Sequence, residues 1–168
     1  MKEKFQIPGV GAIIERGVHP NKEILIQERI TPKRPSETGL IEIPAGKIRQ
    51  FESLFITLRR EVLEETGLHI ENIYAEEFAN LLNMNDYSVL SCEPFCVSQN
   101  ISGDYPILVM TFLCRAKGQL LLKTNESRNI KWIPITRLQK LISFHPEKLY
   151  PMHIYALKKY LRLNLLDD

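Results

Sequence analysis

Glu61, Glu64 and Glu65 put three carboxylates into one short run of the chain, REVLEETGL. On a helix, residues three and four apart are surface neighbours, and like charges so placed cost roughly 0.2–0.5 kcal/mol per pair. Two readings compete for this arc. One is a solvated helix face partly neutralised by Arg59 and Arg60. The other is a site for a hard divalent cation, since Mg²⁺ takes oxygen ligands, keeps several waters and is commonly shared between a few carboxylates and substrate phosphates.

The element that must carry these residues runs from about Glu52 to Thr66. Leu54, Phe55, Leu58 and Val62 fall in a narrow arc at helical spacing, which gives the helix a face to bury. Gly67 follows the last periodic residue, where glycine most readily makes a left-handed C-terminal cap.

The full stretch from Gly46 to Leu68, GKIRQFESLFITLRREVLEETGL, resembles the signature of the Nudix hydrolases, G-x5-E-x7-R-E-U-x-E-E-x-G-U with U a bulky aliphatic residue. Gly46, Glu52, Arg60, Glu61, Val62, Glu64, Glu65, Gly67 and Leu68 fill every demanded position. At roughly one chance in 15 for each strict position, such a match arises by accident on the order of 10⁻⁸ times per start point.

The resemblance implies an α+β domain with a mixed β-sheet sandwiched between α-helices, and a loop-helix-loop signature that binds Mg²⁺ or Mn²⁺. It implies an enzyme that hydrolyses a pyrophosphate linkage in a nucleoside diphosphate derivative. Carried over, Glu61, Glu64 and Glu65 are metal ligands, joined by the Ala45 carbonyl and by Glu126, six residues before Trp132. Arg60 orients neighbouring glutamates, and the four residues Arg60, Glu61, Glu64 and Glu65 form the catalytic set. Arg29, at the end of a strand, contacts substrate phosphate, and Glu42 is a second substrate-side or metal-side group. Gly46, Glu52 and Gly67 are structural. Glu93 and Asp104 are further candidates for a base supplied by a loop.

For the substrate, Pro44-Ala45-Gly46 is similar to the ADP-ribose and nucleotide-sugar branch, although Met84 stands where that branch often has a proline. MutT-like cleavage of nucleoside triphosphates is the alternative. A nucleotide-sensing module without catalysis is a third reading, weighed against by the complete set of signature glutamates.

The rest of the chain sets the frame. Its 168 residues suit a single domain spanning 1–168 with a sizeable core. A net charge of +2 gives no strong pull toward nucleic acid or a membrane surface; the resemblance implies a small nucleotide-derived partner, and a monomer or homodimer is expected. No apolar run approaches a membrane span, and the start MKEKFQIPGV lacks a signal peptide's apolar core. Cys92, Cys96 and Cys114 have no zinc-like spacing and read as reduced, mostly buried thiols, which suits a cytoplasmic protein.

Val10–Arg16 and Glu23–Arg29 read as a hairpin-like strand pair, followed by a basic, turn-rich loop, TPKRPSETG, near the site. Leu40–Ile43 is a brief strand leading into Pro-Ala-Gly. Ile70–Leu82, Pro94–Gln99, Ile107–Lys117 and Asn129–Pro134 are further strands, with a turn at Gly103 and Asp104. Ile135–Ser143 is a helix, and Pro146 suits the first turn of a last helix packed on the sheet.

Overall fold

The computed structural model describes residues 3–165. Its centre is a pair of long parallel strands, β1 (Ile7–Arg16) and β9 (Ile107–Gly118), in register from Ile7 opposite Ile107 to Ile14 opposite Cys114. Both are covered on two sides, which is why they read as almost continuous apolar runs rather than as an alternation. β2 (Glu23–Arg29) pairs antiparallel to β1 as the expected hairpin, and β10 (Ser127–Pro134) extends the sheet beyond it. β5 (Leu68–Ile73) closes the far side, giving the order β10-β2-β1-β9-β5. Three short strands attach to this path: β3 (Ile41–Glu42) on β2, β4 (Ala45–Lys47) on β1, and β8 (Cys96–Gln99) on β9.

Helices cover both faces. α1 (Leu54–Thr66) lays Phe55, Leu58 and Val62 on Val10, Ala12, Ile14, Leu25 and Phe112. On the opposite face, α2 (Ile135–Phe144) and α3 (Pro151–Leu165) pack Leu138, Ile142, Ala156, Leu157 and Tyr160 against Ile13, Ile24, Ile26 and Ile133. The expected α+β sandwich is the observed one. Cys96 and Cys114 are buried, Cys92 is half-buried, and all three thiols are free.

Three expectations need correction. α1 begins at Leu54, not Glu52, because the Ser53 side chain caps it by accepting the Ile56 N–H at 3.2 Å. Pro146 opens a single 3₁₀ turn, Pro146–Lys148, and the last helix starts at Pro151 instead. The backbone between them is committed elsewhere: Leu149 is extended and bridges Ile41, and the Tyr150 N–H donates to the Ile41 carbonyl at 2.8 Å. Finally, Ile70–Leu82 is not one strand. β5 ends at Ile73 and a 3₁₀ turn, Tyr74–Glu76, lifts the chain off the sheet. A separate two-stranded ribbon follows, β6 (Asn80–Met84) with β7 (Tyr87–Ser91).

Candidate active site

α1 is rotated so that its acidic arc meets the edge of the sheet where β3 and β4 cross from β2 to β1. Glu61 and Glu65 are therefore buried, at 9% and 5% exposure, while Glu64 stays half in solvent. All three line an open cleft of about 890 Å³ together with Arg29, Glu42, Ala45, Gly46, Arg60 and Glu126. The fold thus gathers the carried-over residues into one place. Glu93 and Asp104 are exposed and stand outside the lining.

Arg60 is the hub of the acidic side. Its Nε and one terminal nitrogen donate to the two Glu52 oxygens, each at 2.8 Å. The other terminal nitrogen donates to Glu61 at 2.6 Å and to Glu64 at 3.3 Å. Glu52 lies just outside the helix and also accepts the Thr57 hydroxyl at 2.9 Å. The Arg60 fork holds the Glu52 carboxyl well down, at about 2. Gly46 is needed for close approach: a Cβ built there would stand 1.8 Å from the Glu61 carboxyl carbon.

Glu65 is in a different situation. Its Oε2 accepts the Gln27 amide at 2.8 Å and the Ala45 backbone N–H at 3.0 Å, and both donors are neutral. Burial, then the nearby Glu42 charge, push its pKa well above the ordinary 4.5, and Glu61 adds to the rise. Glu61 is raised too, by burial against the opposing pull of Arg60, with Glu64 and Glu126 contributing. Glu42, at 3% exposure, accepts from Arg29 at 2.9 Å and from Gln27 at 3.5 Å, and burial raises it as well. Arg29 also donates to Glu37 at 3.1 Å and stacks 4.5 Å from the Tyr150 ring centroid.

Among the described residues, no group of three or more His, Cys, Asp or Glu side chains stands arranged to hold a metal ion. The donor chemistry nonetheless fits one. Glu65 is a buried carboxylate that meets neutral donors and like charges only, and the buried Gln27 Oε1 beside it has no partner. A cation sharing Glu61 and Glu65 would relieve both repulsion and desolvation.

Basic and aromatic side chains share the lining. Lys33, Arg34, Lys47 and Arg49 are among them, with Arg34 stacked 3.7 Å over Tyr105, Lys47 5.6 Å from the same ring, and Arg49 reaching to 4.0 Å from Glu64. Tyr150, just before α3, and His153, in its first turn, are also in the lining.

Sequence reasoning missed Gln27, Ser127 and His153. Gln27 breaks the apolar run of β2 on the face that Leu25 turns toward α1, a signal that was available. Ser127 is fully buried and donates to the Glu65 carbonyl at 2.8 Å, tying β10 to the helix. His153 is 1% exposed, with Nδ1 accepting the Ile43 N–H at 3.3 Å and Nε2 without a partner. Burial, reinforced by Arg29, pushes its pKa down to about 3, so the ring is neutral and its proton sits on Nε2.

Comparison with known proteins settles the family. The NUDIX domain model matches residues 6–153, most of the chain. This protein belongs to the Nudix family. Nudix hydrolase 8 of Arabidopsis thaliana is 26% identical over 146 residues, covering 84% of this chain and 33% of that protein. The methanol dehydrogenase activator of Bacillus methanolicus is 33% identical over 72 residues, covering 43% of this chain and 37% of its own. The chain thus matches about a third of the length of each of these two relatives. Among solved structures, the NUDIX domain of Shewanella oneidensis NrtR, in complex with ADP ribose, has the same fold. It superposes with a TM-score of 0.67 at 19% identity, covering 97% of this chain and 90% of that one. No described helix of this Nudix chain is long and apolar enough to cross a membrane.

Proposed function

We propose that this Nudix protein is a divalent-metal-dependent hydrolase of a pyrophosphate linkage in a nucleoside diphosphate derivative. The observation that carries this reading is Glu65: a buried carboxylate on the signature helix, held by neutral donors, in a cleft that basic side chains also line. Glu61, Glu64 and Glu65 would hold Mg²⁺ or Mn²⁺, with Glu126 and the Ala45 carbonyl beside them. When bound, the ion neutralises phosphate oxygens and makes a coordinated water acidic.

The chain's own residues do the positioning. Arg60 holds Glu61 and Glu64 in place from behind, and Glu52 holds Arg60. Gln27 and the Ala45 N–H orient Glu65. Arg29, at the end of β2, and the basic residues that line the cleft receive the phosphates. Because Glu93 and Asp104 stand outside the lining, the proton from the attacking water goes to a carboxylate of the cluster.

Two substrate classes have support. The Pro44-Ala45-Gly46 turn favours ADP-ribose or a nucleotide sugar, and the NUDIX domain of NrtR binds ADP ribose. The several basic side chains of the lining suit a third phosphate and favour a nucleoside triphosphate. Product analysis separates them. With Mg²⁺ or Mn²⁺, the first class yields a nucleoside monophosphate and a sugar phosphate; preferred cleavage of dNTPs with release of pyrophosphate would assign the second. A binding-only module would bind the nucleotide and release nothing.

A further inference from the structure

We propose that Glu37 is a positioning residue that locks Arg29 and Arg34 into a two-guanidinium clamp for the diphosphate of the substrate. This deepens the hydrolase reading and rests on it. The starting observation is one carboxylate shared by two arginines of the cleft lining, while Glu37 itself stands outside that lining. Glu37 Oε2 accepts the Arg29 Nε–H at 3.1 Å, and its Oε1 lies 2.9 Å from the Arg34 Nε. The second contact is an ion pair without hydrogen-bond alignment, and the Arg34 Nε is buried. Both contacts are made to Nε, so Glu37 takes up the terminal nitrogens of neither fork. One terminal nitrogen of Arg29 donates to Glu42 at 2.9 Å.

The local fold explains why the three side chains meet. Arg29 is the root of the loop between β2 and β3: its N–H donates to the Leu40 carbonyl and its carbonyl accepts the Gly39 N–H, both at 2.9 Å. Above the root, the Thr38 hydroxyl donates to the Thr31 carbonyl and accepts the Thr31 N–H, each at 3.2 Å. The tip is a 3₁₀ turn, Pro35–Glu37, in which the Glu37 N–H donates to the Arg34 carbonyl at 2.9 Å. Residues three apart eclipse in such a turn, so Arg34 and Glu37 project together.

Two cations this close need an anion between them. The oxygens of one carboxylate are at most two C–O bonds apart, which keeps the two Nε atoms within about 8.5 Å of each other. Each guanidinium also lies on a ring, Arg29 4.5 Å from the Tyr150 centroid and Arg34 3.7 Å from that of Tyr105. The rings support each fork from one face, and Glu37 sets the distance between the forks. Arg29 is tied onward to the signature helix, since Gln27 donates to Glu42 at 3.5 Å and to Glu65 at 2.8 Å. Two forks held at a set spacing suit two adjacent phosphate groups, because a guanidinium meets phosphate oxygens in pairs.

The test exploits a sign. Glu37→Gln removes a negative charge beside two phosphate-binding cations, so charge alone would tighten anion binding, whereas loss of positioning loosens it. Native protein and variant are titrated calorimetrically, in Mg²⁺, with α,β-methylene-ADP, a nucleoside diphosphate whose bridge cannot be hydrolysed. The variant's Kd should rise about tenfold. In turnover its KM should rise to a similar extent, with kcat changed by less than about twofold. Equal or tighter binding by the variant overturns the proposal. Because Glu37 acts through the arginines, the loss should shrink to about threefold or less in an Arg34→Ala background, and an equal loss in both backgrounds overturns it as well. If Glu37→Gln does not fold, Arg34→Lys decides in its place, since it keeps the charge without the Nε edge. A loss like that of Arg34→Ala supports the clamp, and native affinity overturns it. Weakened binding by the variant of a protein that hydrolyses nothing would sink the hydrolase reading and leave the clamp standing; hydrolysis with undiminished binding by the variant would do the reverse.

Discussion

At the scale of single residues, the site is defined by how differently its carboxylates are treated. Glu52 is held ionised by a guanidinium fork, so the stability it contributes is present above the ordinary 4.5 and is lost as pH falls toward about 2. Glu65 has the opposite sign. Its raised pKa means that the folded state binds the extra proton, so without metal its contribution falls as pH rises from 4.5 upward. A divalent cation replaces that proton as the partner of the charge. The increase in melting temperature on adding Mg²⁺ should therefore be larger at about pH 8 than at about pH 5.5, where protons compete. An equal increase at both would place the ion away from Glu65. These environments were only half legible in the sequence. The spacing of the signature named the glutamates, but their neutral and charged neighbours come from Gln27, Glu42 and Ala45, brought in by tertiary pairing.

At the scale of elements, α1 was readable because two signals agree, an apolar arc and a terminal glycine, while its start was missed with the Ser53 cap. Gly67 has φ 78° at the C-cap, and its N–H donates to the Leu63 carbonyl at 3.0 Å. A Cβ there would also stand 2.7 Å from the Gln119 carbonyl oxygen and 2.9 Å from Leu121 Cγ. Gly67→Ala should cost on the order of 2 kcal/mol, from the left-handed backbone and the crowding together, read as a lower denaturation midpoint. An unchanged midpoint would show that the helix end relaxes freely. The last helix was misplaced for the converse reason. Pro146 and Pro151 carry the same local signal, and only the pairing of Leu149 and Tyr150 with Ile41 decides between them.

At the scale of the whole molecule, a covered central sheet stands against a mostly exposed ribbon, of which Leu90 packs against the core. The sheet was legible in the apolar runs of β1 and β9. The β6–β7 ribbon was not, although Asn85 and Asp86 are turn formers between two strand-like runs, and Asn85 takes φ 52°. Leu81, Leu82, Met84, Tyr87 and Val89 are exposed on it, and neither strand joins the main sheet. A lone two-stranded ribbon is marginal in water. Amide hydrogen exchange should be fast across Asn80–Ser91 and slowest in β1 and β9, by several orders of magnitude. Protection of the ribbon equal to that of β1 would mean that it is held by contacts beyond those described.

The central claim is that the signature carboxylates hold a divalent ion for cleavage of a phosphoanhydride. It is tested most directly by assaying Glu65→Gln beside the native protein, on the preferred substrate, with Mg²⁺ and with excess chelator. The account predicts hydrolysis by the native protein with metal alone. It predicts a loss on the order of a hundredfold or more in kcat for the variant. The variant's melting temperature should be equal or higher, since glutamine removes a buried, repelled charge. Full activity in chelator, or a folded Glu65→Gln that turns over at the native rate, would contradict it.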